Sequence, residues 1–219
     1  MEATEWAGVR RDGRDLFTAN ARPGERVYGE VVRTIEGVEY RHWDPFRSKL
    51  AAYLLRANPP SAPWTPGGSA LYLGGGHGTT VSHLSDLVGS GSIFVVEKSP
   101  TAFAPLLALA RKRSNLFPIL ADAQLPERYQ AEVGRVEFIY QDVAQRHQAG
   151  IFVENVRACL TPHGRGLLML KVRSVTQRRP ANAIVREARH ELGRAGLTVA
   201  AECSLAPFSK EHVALAVTA

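Results

Sequence analysis

Cysteine is nearly absent from this chain: Cys159 and Cys203 are the only two among 219 residues. Two thiols so far apart provide neither a disulfide framework nor a metal-binding cluster. They read as buried free thiols of a reducing compartment, with no metal site expected. No apolar run approaches the ~18 residues of a membrane span. No basic–apolar–small leader opens the sequence, so a cytoplasmic protein without a membrane partner is expected. Internal repeats and low-complexity tracts are also missing. Lysine is scarce, because most of the 27 basic residues are arginine; set against 21 acidic residues, they leave a formal net charge of +6. Clusters fall at Arg10-Arg11-Arg14, Arg111-Lys112-Arg113 and from Arg173 to Arg194. Arginine suits planar, bidentate contact with phosphate, so a phosphate-rich partner fits, as does a merely solvated basic surface.

The hydrophobic content of 45% can build a substantial core. Up to residue 58 the pattern is β-rich: Val27–Val32 and Val38–Arg41 alternate apolar and polar residues around Glu36-Gly37, and predict a strand pair. Ser48 to Arg56 predicts a helix with Ser48 as N-cap, and the prolines after Asn58 end it. The boundary is placed there, giving a small N-terminal unit (1–58) and a larger one (59–219). Beyond it, strands are expected at 70–74, 92–97, 116–121, 136–141 and 165–172, and helices at 79–88, 101–113, 147–160 and 181–195. Strands separated by helical crossovers imply a doubly wound α/β fold with a parallel sheet. Two last strands, about 197–205 and 212–218, are joined by a short loop and must be antiparallel.

The most informative stretch runs from Leu71 to His83: a buried strand, the turn Gly74-Gly75-Gly76-His77-Gly78, and a helix start at Thr79-Thr80. Glycine lets a ligand approach the backbone. About 20 residues on, the next strand ends in Glu97, whose carboxylate can accept both hydroxyls of a ribose. A dinucleotide fingerprint wants a third glycine where Thr79 stands. S-adenosylmethionine, which carries no phosphate, is favoured over a dinucleotide.

Ligands of an open parallel sheet lie outside the carboxyl ends of its strands. Glu97, Asp122, Asp142 and Lys171 all fall at such ends. A lysine in an apolar strand needs a carboxylate, and Asp142 is the expected partner of Lys171. Such a pair suits methyl transfer to a hydroxyl that loses its proton as it attacks.

Several long, ordered blocks resemble the fibrillarin family: Pro23-Gly24-Glu25-Arg26-Val27-Tyr28-Gly29-Glu30, Gly37-Val38-Glu39-Tyr40-Arg41, Trp43-Asp44-Pro45, Arg47-Ser48-Lys49-Leu50-Ala51-Ala52, Gly78 to Asp86, and Asp142-Val143-Ala144-Gln145. The chain is similar to the shorter archaeal form, without an arginine–glycine-rich tail. The resemblance implies a class I S-adenosylmethionine-dependent methyltransferase: a mostly parallel seven-stranded sheet with an antiparallel terminal hairpin. It implies guide-RNA-directed ribose 2′-O-methylation of rRNA and tRNA within a box C/D particle. The implied partners are a Nop-domain scaffold, the guide RNA and a kink-turn-binding protein of ribosomal type. The alternatives are a non-catalytic subunit and a methyltransferase acting on protein side chains or small molecules. The implied catalytic set is Lys49, Asp142, Lys171 and His212. By the same resemblance, Gly74, Gly76, Gly78, Thr79 and Thr80 hold the methionine end of the cofactor, with help from Asp142 and Gln145. Glu97 takes the ribose and Asp122 the adenine side. His77 departs from the family's small residue and puts cofactor affinity in question, while His83 has no assigned role.

Overall fold

The computed structural model describes residues 1–175 and 179–219. The chain starts with β1 (Glu2–Ala3), β2 (Val9–Asp12), β3 (Asp15–Ala19), β4 (Val32–Ile35) and β5 (Val38–Trp43), which form an antiparallel sheet of order β1-β2-β3-β5-β4. The first three strands were not expected. Their signal is a two-residue hairpin loop, Gly13-Arg14, between the paired Asp12 and Asp15, with Gly13 at φ +60°. Four charged residues around that loop hide the alternation. The strand expected at Val27–Val32 is an irregular loop up to Val31, and only Val32 begins β4. The Glu30 carboxylate accepts the backbone N–H groups of Val27 and Tyr28 at 3.1 and 2.8 Å, so the loop meets its donors without a ladder.

Helix α1 (Lys49–Ala57) follows, its Ser48 cap accepting the Ala51 N–H at 3.4 Å. The larger sheet comprises β6 (Ala70–Leu73), β7 (Ile93–Glu97), β8 (Leu116–Leu120), β9 (Val136–Gln141), β10 (Leu160–Lys171), β11 (Thr198–Ser204) and β12 (His212–Thr218). Its helices are α2 (Thr79–Val88), α3 (Pro100–Ala110), α4 (Gln130–Val133), α5 (Gln148–Cys159), α6 (Val172–Val175) and α7 (Ala181–Arg194). The strand order is β11-β12-β10-β9-β6-β7-β8; β6 to β10 are parallel, and β12 runs antiparallel to both neighbours. The chain winds outward from β6 to β8 and then returns to the other side of β6. The crevice between β6 and β9 is therefore the topological switch point.

Side chains alternate across this sheet into two apolar layers. Tyr72, Val95, Phe138 and Met169 face one, shared with α1, α2, α3 and the N-terminal Trp6, Leu16 and Trp43. Leu71, Leu73, Ile139 and Leu168 face the other, covered by α4, α5 and α7. Buried charge also ties the N-terminal sheet to α2. Arg41, fully buried, reaches Glu30 at 2.6 Å, Asp86 at 2.7 Å and Ser82 at 2.8 Å. Burial raises the Glu30 carboxyl, but the loop N–H groups and Arg41 outweigh it and hold it below its ordinary value. His83 belongs to this seam: its ring is buried, lies 2.8 Å from Thr18 Oγ1 and 2.7 Å from the Tyr28 hydroxyl, and stacks on Trp43. Of the cysteines, Cys159 is buried but Cys203, on the edge strand β11, is only partly so, which corrects that expectation. No helix among the described residues is long and apolar enough to cross a membrane.

Candidate functional site

The β6–β9 register places Leu73 beside Gln141, so the two chains leave the sheet level with each other, and the Asp142 N–H donates to the Leu73 carbonyl at 2.9 Å. Gly74 sits at φ +85°, and a Cβ there would lie 2.4 Å from the Asp142 carbonyl oxygen. Only glycine fits. The turn then curls so that the Gly76 N–H donates to Glu97 Oε2 at 2.9 Å, while Glu97 Oε1 accepts the Ser99 N–H at 2.8 Å. The carboxylate is thereby aimed before any ligand arrives. Gly78, at φ +89°, caps α2, and a Cβ there would press on Leu109.

These elements enclose a cleft of about 450 Å³, within the usual range of ligand sites. Glu97, Asp122 and Gln145 line one end; Lys49, Asp142, Lys171 and His212 line the other, with Gly74 and Gly76 between. Gly78, Thr79 and Thr80 stand behind the lining. The Thr80 hydroxyl donates to Ser48 Oγ at 3.0 Å and so braces the start of α1, where Lys49 sits. His77 is exposed and outside the cleft, so its ring does not crowd the turn.

The ion pair at the inner end differs from expectation. Asp142 Oδ2 lies 2.7 Å from Lys49 Nζ, not against Lys171. The cause is register: β9 and β10 align Gln141 with Leu168, which sets Asp142 level with Met169, two residues short of Lys171. Lys171 is level instead with His212 on β12, and it pairs with no carboxylate among the described residues. Its backbone is held by Gln148, whose Oε1 accepts the Lys171 N–H at 2.8 Å while Nε2 donates to the Lys171 carbonyl at 3.0 Å. His212 Nδ1 lies 2.8 Å from Ser209 Oγ. Burial, then the charges of Lys49 and Lys171, push the imidazole down to about 3, so it is neutral at physiological pH.

At the outer end, Asp122 accepts from Gln145 Nε2 at 3.0 Å and from the Gln124 N–H at 3.0 Å, and it lies 3.5 Å from Lys98 Nζ. Burial opposes ionisation, but these partners outweigh it and hold the carboxyl below its ordinary value. Lys98, Gln148 and Ser209 were not singled out from the sequence. Lys98 could have been, since it directly follows Glu97 at a strand end; the other two act through contacts that spacing does not reveal.

Three features fit S-adenosylmethionine. The Gly74 cradle allows close backbone approach, Glu97 offers free lone pairs for ribose hydroxyls, and Gln145 Oε1 is a buried acceptor with no partner, suited to a ligand N–H. No group of His, Cys, Asp and Glu among the described residues could hold a metal ion.

Comparison with known proteins agrees with this geometry. The family model described as Fibrillarin matches residues 5–219. A fibrillarin-like rRNA/tRNA 2′-O-methyltransferase of Thermococcus sibiricus is 41% identical over 211 residues, covering 95% of this chain and 92% of its own. The enzyme of that name from Pyrococcus furiosus is 41% identical over 208 residues, covering 94% and 91%. Aeropyrum pernix fibrillarin, crystallised with natively bound S-adenosyl-L-methionine, superposes with a TM-score of 0.86 at 40% identity, over 93% of this chain and 88% of that one. The fibrillarin of a fibrillarin/Nop5p complex gives 0.89 at 33% identity, over 98% and 99%. A methyltransferase from Aquifex aeolicus, 16% identical with a TM-score of 0.53 over 70% of this chain and 83% of its own, shares the fold alone.

Proposed function

The chain belongs to the fibrillarin family, and on that footing we propose that it is the catalytic subunit of a box C/D particle. In that role it methylates ribose 2′-hydroxyls of rRNA and tRNA with S-adenosylmethionine, at sites chosen by a guide RNA. The observation that carries the reading is the Asp142 carboxylate 2.7 Å from the Lys49 ammonium, in one cleft with Lys171 and a neutral His212.

When bound, S-adenosylmethionine supplies an electrophilic methyl carbon on a positive sulfur. Glu97 holds the ribose of that ligand, Asp122 the adenine side, and the Gly74–Gly78 turn the methionine end; Gln145, expected at the methionine end, moves to the adenine side because its Nε2 is bonded to Asp122. At the inner end, Asp142 orients the substrate 2′-hydroxyl. The 2′-hydroxyl must give up its proton when its oxygen accepts the methyl group, and two acceptors stand at this end to take it, the Asp142 carboxylate and the His212 imidazole. Lys49 and Lys171 stabilise the charge developing on oxygen, and fixed placement of the reactants supplies much of the acceleration. His212 is available as an acceptor because burial first, and then the two lysines, keep it unprotonated. Nothing in this set reads bases, which fits specificity delegated to a guide.

A division into residues 1–58 and 59–219 gives the smaller unit the task of presenting Lys49 across the cleft. A Nop-domain scaffold and a kink-turn-binding protein complete the particle, which we place in the cytoplasm. Reconstitution with scaffold, kink-turn protein, guide, target and labelled S-adenosylmethionine tests the reading. Label should appear on the guided 2′-hydroxyl and vanish without guide. Label on protein irrespective of guide, or none on RNA, overturns it.

A further inference from the structure

A second hollow of about 890 Å³ is walled by Pro45 and Phe46 from the segment entering α1, by Pro207 and Phe208 from the β11–β12 connection, and by Arg14 and Arg56. Phe46 is 68% exposed, the most exposed large apolar side chain among the described residues. An exposed aromatic on a loop is commonly mobile and inconsequential, but this one is held. Its N–H donates to Asp44 Oδ1 at 2.8 Å. Its ring meets Phe208 edge-on, with centroids 5.1 Å apart and planes at 75°, and Phe208 itself packs on the core. A face is left bare on a fixed support.

Placement gives that face a meaning. Phe46 precedes Lys49 by three residues and Phe208 precedes His212 by four. Chain reach keeps the Phe46 Cα within about 11 Å of the Lys49 Cα. That bound leaves the face within reach of a polynucleotide strand that enters the cleft beside Lys49.

Charge selects the occupant. Two carboxylates share the hollow with Arg11, Arg14 and Arg56: Asp44, which accepts the Phe46 N–H, and Asp15, which lies 3.5 Å from His42, so the guanidinium groups outnumber them. Arg14 and Arg56 are exposed and meet no carboxylate among the described residues. A bare aromatic flanked by two guanidinium groups that no carboxylate neutralises, one of them steadied by its Nε bond to the Ser204 carbonyl at 3.4 Å, is the chemistry that packs on a nucleoside and grips its phosphates. An apolar protein surface would cover the ring but leave the arginines unmatched.

We propose that Phe46, backed by Phe208, is the platform on which the target-strand nucleotide next to the methylated ribose rests, with Arg14 and Arg56 on its phosphates. This rests on RNA being the substrate of the neighbouring cleft. It assigns substrate positioning to residues outside the catalytic set.

The test uses the reconstituted particle and a target short enough that guide pairing does not saturate binding. Phe46→Ala should raise the KM for target RNA about tenfold, with affinity for S-adenosylmethionine unchanged, and Phe46→Tyr should restore it. Arg14→Glu and Arg56→Glu should raise the same KM. A target with 4-thiouridine beside the methylated position should crosslink to the wild-type segments around Phe46 and Phe208, whether or not methyl transfer occurs. Unchanged KM with no crosslink in those segments overturns the platform and leaves the methyltransferase reading standing. Loss of scaffold binding by Phe46→Ala also overturns it, by showing a protein interface. Crosslinks at Phe46 with no methyl transfer by wild type would instead sink the proposed activity alone.

Discussion

Replacing Asp142 by asparagine changes one oxygen to an amide and leaves shape almost untouched, so it isolates charge. The wild-type carboxylate lies 2.7 Å from Lys49 Nζ, with the two side chains 20% and 27% exposed. At that exposure solvent screens the pair, so its net contribution to folding is on the order of 1 kcal/mol. For a chain of this length Tm should fall by about 2–4 °C. The effect on chemistry is far larger. An amide neither takes a proton nor holds Lys49 in place, and losing a general base or its equivalent costs about 10²–10⁴ in rate. Affinity for S-adenosylmethionine should change little, because the Asp142 backbone against Gly74 is retained. Single-turnover methylation in the reconstituted particle, calorimetric titration with S-adenosylmethionine and a thermal melt together give all three quantities. Lys49→Met adds a check: if the two residues act as a unit, the double variant is scarcely slower than the slower single one. A rate within about fivefold of wild type, or fully additive losses, would refute the reasoning.

Gly74→Ala should weaken S-adenosylmethionine binding by more than about tenfold, since its Cβ would meet the Asp142 carbonyl at 2.4 Å with φ at +85°; calorimetry showing wild-type affinity contradicts this. Arg41→Met leaves the buried Glu30 with no cation, while Asp86 keeps Arg113, and should cost about 3–5 kcal/mol in a urea melt; a loss under 1 kcal/mol would mean the network is already solvated. His83 is held neutral, first by burial and then by Arg41 and Arg113, well below its ordinary value. The unfolded chain therefore binds this proton from about pH 6.5 downward while the fold does not. Its contribution is complete above that pH and is lost on acidification by about 1.4 kcal/mol per pH unit. His212 adds a like contribution, so the test is the difference: urea melts at pH 7, 6 and 5 should lose stability more steeply in wild type than in His83→Phe, by up to about 1.4 kcal/mol per pH unit; equal slopes in the two proteins would refute it.

The helices and strands of the larger sheet were legible because they are buried on both faces and punctuated by glycine and proline, as Leu71–Gly78 shows. Of the N-terminal sheet, β5 was legible at Val38–Arg41, but β1 to β3 and the true start of β4 were not, because charged residues interrupt their alternation: Arg33 on β4 pairs with Asp12 on β2, and Glu30 is drawn into the loop by buried Arg41. Charged alternation in such strands reads as surface loop. The switch-point residues Gly74, Glu97 and Asp142 could be found locally, since strand ends dictate where ligands lie. Which lysine meets Asp142 could not. That depends on the β9–β10 register and on α1 crossing above it, relations between segments that no local spacing encodes. His83 shows the same limit: an unremarkable helical histidine became the hub joining Thr18, Tyr28 and Trp43.

A crystal structure of the protein with S-adenosylmethionine bound tests the central claim most directly. The ribose should rest on Glu97 and the adenine beside Asp122, with the methyl carbon turned toward Lys49, Asp142, Lys171 and His212 and an open approach opposite the sulfur. A cofactor whose methyl group points away from those four side chains, or which binds outside this cleft, would contradict the account.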